Sequence, residues 1–503
     1  MVRRIPFQNV LFLGYVGLLF LQTASAQSLK AFEKNVTEFT LDNGLNFIVV
    51  ERHEAPVVSL FTYADVGSVD EIKGITGIAH IFEHMAFKGT RNIGTDDYES
   101  EKAVMDRMDR LFLEMKKERR KGNQVNEGRL EGLEEQFEKA QQEAQEYLVH
   151  DEFEEAIDRQ GGVGLNATTG PDATRYFYSL PSNKLELWMS LESDRFLNPV
   201  LREFYKEKDV VMEERRLGEN NPIGRLVEDF LATAYKAHPY GEPVVGHMSD
   251  LKTITREEGE AWFAKYYGAN NLTIAIVGDV KPREVEEMAD TYFGRLRKGE
   301  KPEPVETVEP EQQGERRCTV VAQAQPLIII GYHRPDINHP DNAAFDAITD
   351  MMGRGRTSRL YKRLVKEKKI AISVGAFTGL TGDKYPGLFI FYAFPAKDQT
   401  NEESEETLYD EIEKMKTELV TAEELEKAKT RARADLIRQL NSNFGLAYQL
   451  TFYEVVTGGW RNLFRQLERI EKLTEEDIRR VAKEYFDRKN KTVGTLVTEE
   501  VGT

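Results

Sequence analysis

Three side chains that could bind or serve a metal ion lie within five consecutive residues, His80-Ile-Phe-Glu-His84. In an α-helix, residues three and four positions apart share one face, so His80, Glu83 and His84 are predicted to point the same way. Two neutral imidazoles at this spacing can bind one Zn²⁺, and the carboxylate between them can take a proton from a zinc-activated water. The pentapeptide therefore predicts a hydrolytic zinc site, with His80 and His84 as ligands and Glu83 as general base.

The N-terminus has the three parts of a secretory signal peptide. Arg3 and Arg4 give a basic start, an apolar stretch runs from Val10 to Phe20, and Ala24-Ser-Ala26 is a small-residue cleavage signal. We expect residues 1–26 to be removed and the protein to be exported to the periplasm or beyond. An uncleaved signal anchor is the alternative. Nothing later in the chain resembles a spanning helix, so no stable membrane span is expected.

Composition narrows the class of protein. The net charge of −18 makes nucleic acid an unexpected partner, because a phosphate backbone attracts basic surfaces. A single cysteine, Cys318, excludes an internal disulfide framework, so stability must come from a packed core. The length of 503 residues suits two domains of about 200 residues with additional segments.

Residues 298–317 are charged and contain almost no apolar side chains, which is typical of a linker between two domains. We place a first domain at 30–297 and a second at 318–503. Parts of these halves resemble each other when compared 219 residues apart, which indicates an ancient duplication. The identical pairs are Thr255 and Thr474, Glu257 and Glu476, Tyr266 and Tyr485, Asn271 and Asn490, and Thr273 and Thr492.

Local patterns predict strands at 47–50 and 57–62 and a helical hairpin between about residues 99 and 158. Apolar residues of the hairpin recur at helical spacing in two runs, and Gly122-Asn123 separates the runs. The apolar positions are Met105, Met108, Leu111, Phe112 and Met115 in the first run, and Leu130, Leu133, Phe137 and Ala140 in the second. We interpret this stripe as the core of two antiparallel helices.

The sequence resembles the insulinase/pitrilysin family of metallopeptidases, especially its half-size members, which include the mitochondrial processing peptidase β subunit and bacterial relatives. The likeness covers most of residues 37–500. It rests on the zinc pentapeptide and on Thr40-Leu-Asp-Asn-Gly44, Asn166-Ala-Thr-Thr with Thr174-Arg-Tyr176, His238-Pro-Tyr240, and Gly278-Asp279. The resemblance implies an α+β fold of two duplicated domains, each a mainly antiparallel sheet covered by helices.

The family takes its third zinc ligand from a Glu-x₆-Glu helix, which Glu207 and Glu214 match here. The resemblance implies Glu214 as ligand and Glu207 as a catalytic-site carboxylate that orients His84 or the ligand helix. Seven residues are almost two helical turns, so both carboxylates lie on one stripe. Glu213 is a competitor for the ligand role, but it lies about 100° round the helix from Glu214.

The resemblance also implies that an extended peptide is laid along the edge strand that carries Asn166, Ala167 and Thr168. Such strand addition reads the peptide backbone more than its side chains. The spacing from His84 to Glu214 is longer than the family's usual spacing. The excess matches the predicted hairpin, so the hairpin is interpreted as an insertion that need not disturb the site.

A second departure concerns the groups that bind the scissile carbonyl. The family places an Arg and, seven residues later, a Tyr after a Ser-Arg-Leu segment, and this pair stabilises the oxyanion. Here Thr357-Ser-Arg-Leu360 is present, but Val365 and Ile372 occupy those two positions. Neither can donate a hydrogen bond. Arg363 or Lys366 could substitute; otherwise a homologous partner subunit would supply the pair in a heterodimer, with a homodimer as the alternative.

We therefore predict a zinc-dependent endopeptidase that hydrolyses extended or unstructured peptides. One zinc per chain is expected, because Arg433 stands 219 residues after Glu214 in the second half. The alternative function is a non-catalytic structural or assembly subunit with the same fold.

Overall fold

The structure is a computed structural model that describes residues 32–499. The predicted signal peptide, residues 1–26, lies outside the described residues. Within 32–499, no helix is both long enough and apolar enough to cross a membrane. The described residues form two sheets, of six and five strands, with helices packed on them.

The first sheet has the strand order β1-β2-β6-β3-β5-β4. All its neighbouring strands are antiparallel except β2 and β6, which are parallel. Both strands predicted from sequence are present, as β2 and β3. The strands are β1 (Val36–Thr40), β2 (Asn46–Glu51), β3 (Val57–Ala64), β4 (Val163–Thr169), β5 (Thr174–Pro181) and β6 (Leu272–Gly278).

The second sheet has the order β7-β11-β8-β10-β9, with β7 and β11 as its one parallel pair. This order and these orientations repeat those of β2-β6-β3-β5-β4 in the first sheet. The predicted duplication is therefore confirmed at the level of topology. The strands are β7 (Arg316–Ala322), β8 (Leu327–Arg334), β9 (Ala371–Thr378), β10 (Gly387–Pro395) and β11 (Lys491–Thr498).

Ten helices accompany the first sheet in sequence: α1 (Ile78–Met85), α2 (Tyr98–Arg119), α3 (Glu127–Gln145), α4 (Glu152–Asp158), α5 (Leu185–Leu197), α6 (Phe204–Asn220), α7 (Pro222–Ala234), α8 (Met248–Leu251), α9 (Arg256–Tyr266) and α10 (Pro282–Phe293). Six α-helices follow among the described residues: α11 (Asn342–Gly353), α12 (Asn401–Thr417), α13 (Ala422–Asn441), α14 (Asn443–Thr457), α15 (Asn462–Glu471) and α16 (Glu475–Tyr485). A π-helical segment covers Tyr361–Glu367.

The duplication extends to individual hydrogen bonds. The side chain of Asn271 donates to the carbonyl of Tyr266 at 2.9 Å, and that of Asn490 donates to the carbonyl of Tyr485 at 2.9 Å. Each asparagine thereby ties the end of a helix, α9 or α16, to the start of the following strand. This shared requirement explains why these residues are identical in the two halves.

The predicted helical hairpin is present as α2 and α3, which pack on each other. Its apolar stripe faces inward, and Phe112 and Phe137 are both buried. Both rings also contact Tyr205 of α6, with ring centroids 4.6 Å and 5.2 Å from the Tyr205 ring. The hairpin therefore rests on the helix from which the sequence predicts the third metal ligand.

One helix from each half packs on the sheet of the other half. Helix α7, from the first half, packs on β7 and β11 of the second sheet. Helix α14, from the second half, packs on β3 and β6 of the first sheet. Residues 298–315 form neither helix nor strand, and β7 begins at Arg316. The two halves consequently share their hydrophobic cores across this connection.

Phe230 of α7 shows how closely this helix packs against the second sheet. A Cβ atom on Gly331 of β8 would lie 2.6 Å from Phe230 Cζ, and one on Gly494 of β11 would lie 3.1 Å from Phe230 Cδ2. The two glycines thus leave a hollow in the second sheet that the fully buried Phe230 ring fills.

We predict that Phe230→Ala lowers the free energy of unfolding by about 3–5 kcal/mol, because it leaves a cavity between α7 and the second sheet. Guanidinium denaturation followed by circular dichroism measures this change. Asp229→Ala, at an exposed position of the same helix, is the control and should change stability by no more than about 0.5 kcal/mol. Equal effects of the two substitutions would show that the ring does not bind the halves together.

Candidate metal centre

Helix α1 presents its two faces to different surroundings. Its apolar side chains Ile78, Ile81 and Phe82 are buried, whereas His80, Glu83 and His84 are half-buried on the other face. Spacing of three and four residues produces this division, as the sequence predicted. The three polar side chains are therefore held by a helix that the core fixes in place.

The start of α1 is fixed by a carboxylate from the preceding loop. Glu71 accepts hydrogen bonds from the backbone N–H groups of Gly77 and Ala79, each at 2.8 Å. Gly77 has φ +90°, a left-handed conformation that favours glycine. Burial raises the pKa of Glu71 to about 8, and the hydrogen bonds from these two N–H groups oppose that rise. Glu71 therefore sets where the helix begins and so where His80 lies.

Glu214 of α6 faces both histidines. Its Oε2 atom is 3.5 Å from His80 Nε2, and its Oε1 atom is 3.8 Å from His84 Nε2. Both distances are longer than an ordinary N–H···O hydrogen bond. One donor atom from each of the three residues lies within 4.8 Å of the other two, and among residues 32–499 this is the one group of three or more potential ligands so placed.

This donor set fits zinc. Two imidazole nitrogens and one carboxylate oxygen are a common ligand combination of catalytic zinc sites, which keep a fourth position for water or substrate. The Glu214 side chain is 45% exposed, while the side chains of His80 and His84 are 18% and 19% exposed. One side of the ligand cluster is thus open to solvent.

His84 is oriented by Glu207, which lies two turns before Glu214 on α6. Nδ1 of His84 lies 3.2 Å from Glu207 Oε2. An ionised carboxylate can only accept, so Nδ1 carries the hydrogen and Nε2 keeps its lone pair toward Glu214. Glu207 in turn receives a hydrogen bond from Lys88 Nζ at 2.6 Å. Although burial opposes ionisation, the hydrogen bonds from His84 and Lys88 lower the pKa of Glu207.

The two histidines differ in their protonation behaviour. Burial lowers the pKa of His80, and the neighbouring His84 lowers it further. The hydrogen bond to Glu207 raises the pKa of His84 despite burial. Nδ1 of His80 is buried and has no hydrogen-bond partner among the described residues. Of the two histidines, only His84 has its Nδ1 atom hydrogen-bonded to a carboxylate, that of Glu207.

Glu213 points elsewhere. Its carboxylate pairs with Arg216 at 2.7 Å, and its side chain is 60% exposed. It is not among the three residues whose donor atoms converge. The geometry supports Glu214 over Glu213 as the third ligand.

Glu83 lines a cavity of about 340 Å³ beside the ligand cluster, together with His84 and Asn166. Asn166, Ala167 and Thr168 lie on β4, which is the edge strand of the first sheet. Asn166 and Thr168 are exposed and Ala167 is buried. The structure thus brings the predicted base and the predicted peptide-binding strand to one cavity.

The corresponding part of the second half contains ion pairs. Arg433 binds Glu471 at 2.9 Å, and Glu426 pairs with Lys429 at 3.1 Å. The positively charged Arg433 cannot act as a metal ligand. The sequence predicted this difference between the halves from the position of Arg433.

The residues at the family's Arg and Tyr positions offer no hydrogen-bond donor from their side chains. Val365 lies in the π-helical segment, and Ile372 is 57% exposed on β9. Of the two possible substitutes, Arg363 pairs with Glu367 at 3.1 Å, and Lys366 is exposed.

Two residues that position the cluster were not identified from the sequence. Lys88 follows His84 by four residues but lies beyond the end of α1, so helical periodicity did not place it beside Glu207. Glu71 reaches the start of α1 from an irregular loop. Its one sequence signal is a carboxylate a few residues before a helix, which is too common to single out.

Comparisons with known proteins place these features in context. The sequence model of the family described as Insulinase (Peptidase family M16) matches residues 47–106 and 137–247. The model described as Peptidase M16 inactive domain matches residues 253–432. The unmatched stretch 107–136 covers the end of the hairpin where α2 meets α3.

Individual relatives agree with the family models. Zinc protease PqqE of Helicobacter pylori is 28% identical over 482 residues, which are 94% of this chain and 95% of that protein. The crystal structure of a protease from Helicobacter pylori matches with a TM-score of 0.76 and 28% identity, covering 92% of this chain and 99% of that chain. The periplasmic protease PqqL of Escherichia coli shares the fold at 17% identity, with a TM-score of 0.69 over 93% of this chain and 48% of that chain.

Proposed function

Because this chain belongs to the insulinase family of peptidases, peptidase M16, we propose that it is a zinc-dependent endopeptidase acting on extended or unstructured peptides. The observation that carries the proposal is the convergence of His80, His84 and Glu214 within 4.8 Å beside a half-buried Glu83. Relatives that have lost catalysis need no such set of donors. The names of the relatives, zinc proteases, point to the same chemistry.

In this proposal each side chain has one task. His80, His84 and Glu214 hold the metal, which when bound supplies Lewis acidity that brings the pKa of a water towards ~7. Glu83 takes the proton from the attacking water and passes it to the amine of the leaving peptide. Glu207, held by Lys88, keeps the His84 ring in one orientation.

The substrate would bind along β4. This strand pairs with β5 on one side, and its other edge is free of strands among the described residues. An extended peptide can add to such an edge through backbone hydrogen bonds at Asn166, Ala167 and Thr168, and Asn166 lines the same cavity as the proposed base. Because backbone groups are common to all peptides, we expect loose sequence specificity and a preference for unfolded chains.

We further propose that the chain is exported and that a second subunit completes its active centre. Val365 and Ile372 cannot stabilise an oxyanion, so a homologous partner with an Arg/Tyr pair would supply the missing donors in a heterodimer. A homodimer is the alternative. The signal-like residues 1–26 support a periplasmic or extracellular location.

Turnover by the isolated chain tests the partnership. We expect the purified protein to hydrolyse an unstructured peptide slowly, and a homologous chain carrying Arg-x₆-Tyr to raise turnover by about 10²–10³, the range for one oxyanion donor. Steady-state assays with a quenched fluorescent peptide measure both rates. Full turnover without a partner would contradict the heterodimer.

Glu207→Gln tests the positioning of His84. An amide cannot hold the His84 N–H as strongly as a carboxylate, so we expect zinc affinity to fall by about 10–100-fold with the fold unchanged. Competition with a chelating dye measures the affinity. Glu203→Gln, which removes the other carboxylate near Lys88, is the control and should leave the affinity within a few fold. Equal loss in both would assign the effect to Lys88 rather than to His84.

A non-catalytic assembly subunit remains the competing function. It would retain the fold without a need for the metal. Elemental analysis of the purified protein separates the two, since a peptidase requires one zinc per chain and an assembly subunit requires none.

A further inference from the structure

A groove of about 680 Å³ lies between the helical hairpin and α6. Helix α2 lines it from Phe112 to Arg119, Arg120 lines it just after the end of α2, and α6 lines it from Tyr205 to Met212. None of the residues at the metal centre lines it. The α2 wall falls inside residues 107–136, which the family model leaves unmatched. The inserted part of the chain therefore forms one wall of the groove.

The floor of the groove is apolar and only slightly exposed. Phe112, Phe137 and Tyr205 contact one another there, with Met115 and Met212 beside them. The three aromatic residues are only 4–9% exposed, so they present only a thin strip of apolar surface. A peptide helix is about 10–12 Å wide and needs a broader surface. The walls are helices whose backbone groups bond internally, so an extended peptide finds no strand edge. A flexible alkyl chain meets neither obstacle.

The rim of the groove is basic. Arg120 and Lys252 form no ion pair with any described residue and are exposed. Lys116 and Arg119 also line the groove, and Asp209 is the one carboxylate that does. The rim is therefore positive chiefly through Arg120 and Lys252, because Lys116 pairs with Glu258 and Arg119 pairs with Glu134. It complements an anion.

A further cation lies at the floor itself. Lys208 is 3% exposed, its Nζ atom is 3.9 Å from the centre of the Phe112 ring, and it donates to the carbonyl of Ile254 at 3.2 Å. It forms no ion pair among residues 32–499. Burial lowers the pKa of Lys208 to about 7, although the nearby Asp209 carboxylate partly opposes this shift. An anion at the mouth of the groove would favour the charged form of Lys208.

We propose that this groove binds a single-chain anionic amphiphile, such as a fatty-acid anion. The carboxylate lies between Arg120 and Lys252, and the alkyl chain lies along the aromatic floor. This inference is independent of the proposed peptidase function. It gives the inserted hairpin a role as one wall of a ligand site.

Titration of the purified full chain with dodecanoate, below the concentration at which it forms micelles, tests the proposal. We expect saturable binding of one dodecanoate per chain by isothermal titration calorimetry. Dodecyltrimethylammonium, which has the same alkyl chain and a cationic head, should not saturate. Equal binding of both probes, or of neither, would overturn the proposal.

Two variants then locate the ligand. Arg120→Glu with Lys252→Glu should weaken dodecanoate binding by about 100-fold, about tenfold for each reversed charge. Lys117→Glu with Lys139→Glu makes the same change in net charge at exposed positions that do not line the groove, and should leave the affinity unchanged. An equal loss in this control would mean that the probe responds only to net charge.

Ser249→Trp closes the groove without changing charge, since Ser249 is an exposed lining residue. We expect it to reduce dodecanoate affinity at least tenfold while the thermal unfolding midpoint stays close to that of the parent. Unchanged affinity in a folded Ser249→Trp protein would place the ligand elsewhere and overturn the proposal.

Discussion

Glu83→Gln should abolish peptide hydrolysis while the protein keeps its zinc. The amide has nearly the shape of the carboxylate but cannot accept a proton from water, and general-base catalysis contributes typically about 10²–10⁴-fold. We expect kcat/KM to fall by at least about 10³ when the partner is present. The zinc content should remain one per chain, because Glu83 is not among the three converging donors. Peptide assays and elemental analysis of the same preparation measure both quantities.

Glu213→Gln is the matched control for this variant. Glu213 is exposed, pairs with Arg216 and does not join the ligand cluster, so the same change of charge should leave activity and zinc unaffected. Loss of zinc in Glu83→Gln would mean that Glu83 binds the metal instead of acting as the base. Retained activity would remove Glu83 from the mechanism.

Glu214→Ala should release the metal and, with it, the activity. Glu214 supplies the one converging donor that does not come from α1, so only two ligands on a single helix would remain. We expect zinc affinity to fall by more than about 100-fold, because removing a residue that only hydrogen-bonds to a ligand already costs up to about 100-fold. Elemental analysis after dialysis and the peptide assay both report the loss.

The same variant should remain folded. Small zinc domains unfold without metal, but here two sheets and their helices provide the core. We therefore expect Glu214→Ala and the chelated parent to stay folded and to unfold cooperatively, at a lower temperature than the zinc-loaded protein because bound zinc stabilises only the native state. A zinc-replete Glu214→Ala protein, or zinc loss in Glu213→Gln instead, would move the ligand role to Glu213.

The fold could be predicted in outline because duplicated elements keep residues that local structure requires. Asn271 and Asn490 make the same hydrogen bond, so their spacing along the sequence exposed the repeat. The exchange of α7 and α14 could not be predicted. An amphipathic pattern shows that a helix buries one face but does not show which sheet it covers.

The metal centre could be predicted to the extent that one helix determines it. His80, Glu83 and His84 take their relative positions from helical periodicity alone. Glu214 and Glu207 entered through the family resemblance, because their approach to α1 depends on how α6 packs. Lys88 was missed because its reach to Glu207 depends on the path of the turn after α1. Tertiary packing sets both of these distances.

The packing of α7 and α14, each on the sheet of the other half, suggests how such a chain could have evolved. Covering each sheet with a helix from the other half is the arrangement of a domain-swapped dimer, in which two copies exchange the same element. Residues 298–315 would then be the join between two formerly separate copies. In such an ancestor the two sites would have been equivalent, and fusion would have freed one of them to lose its ligands. On that account, the difference between Glu214 and Arg433 would have arisen after the fusion.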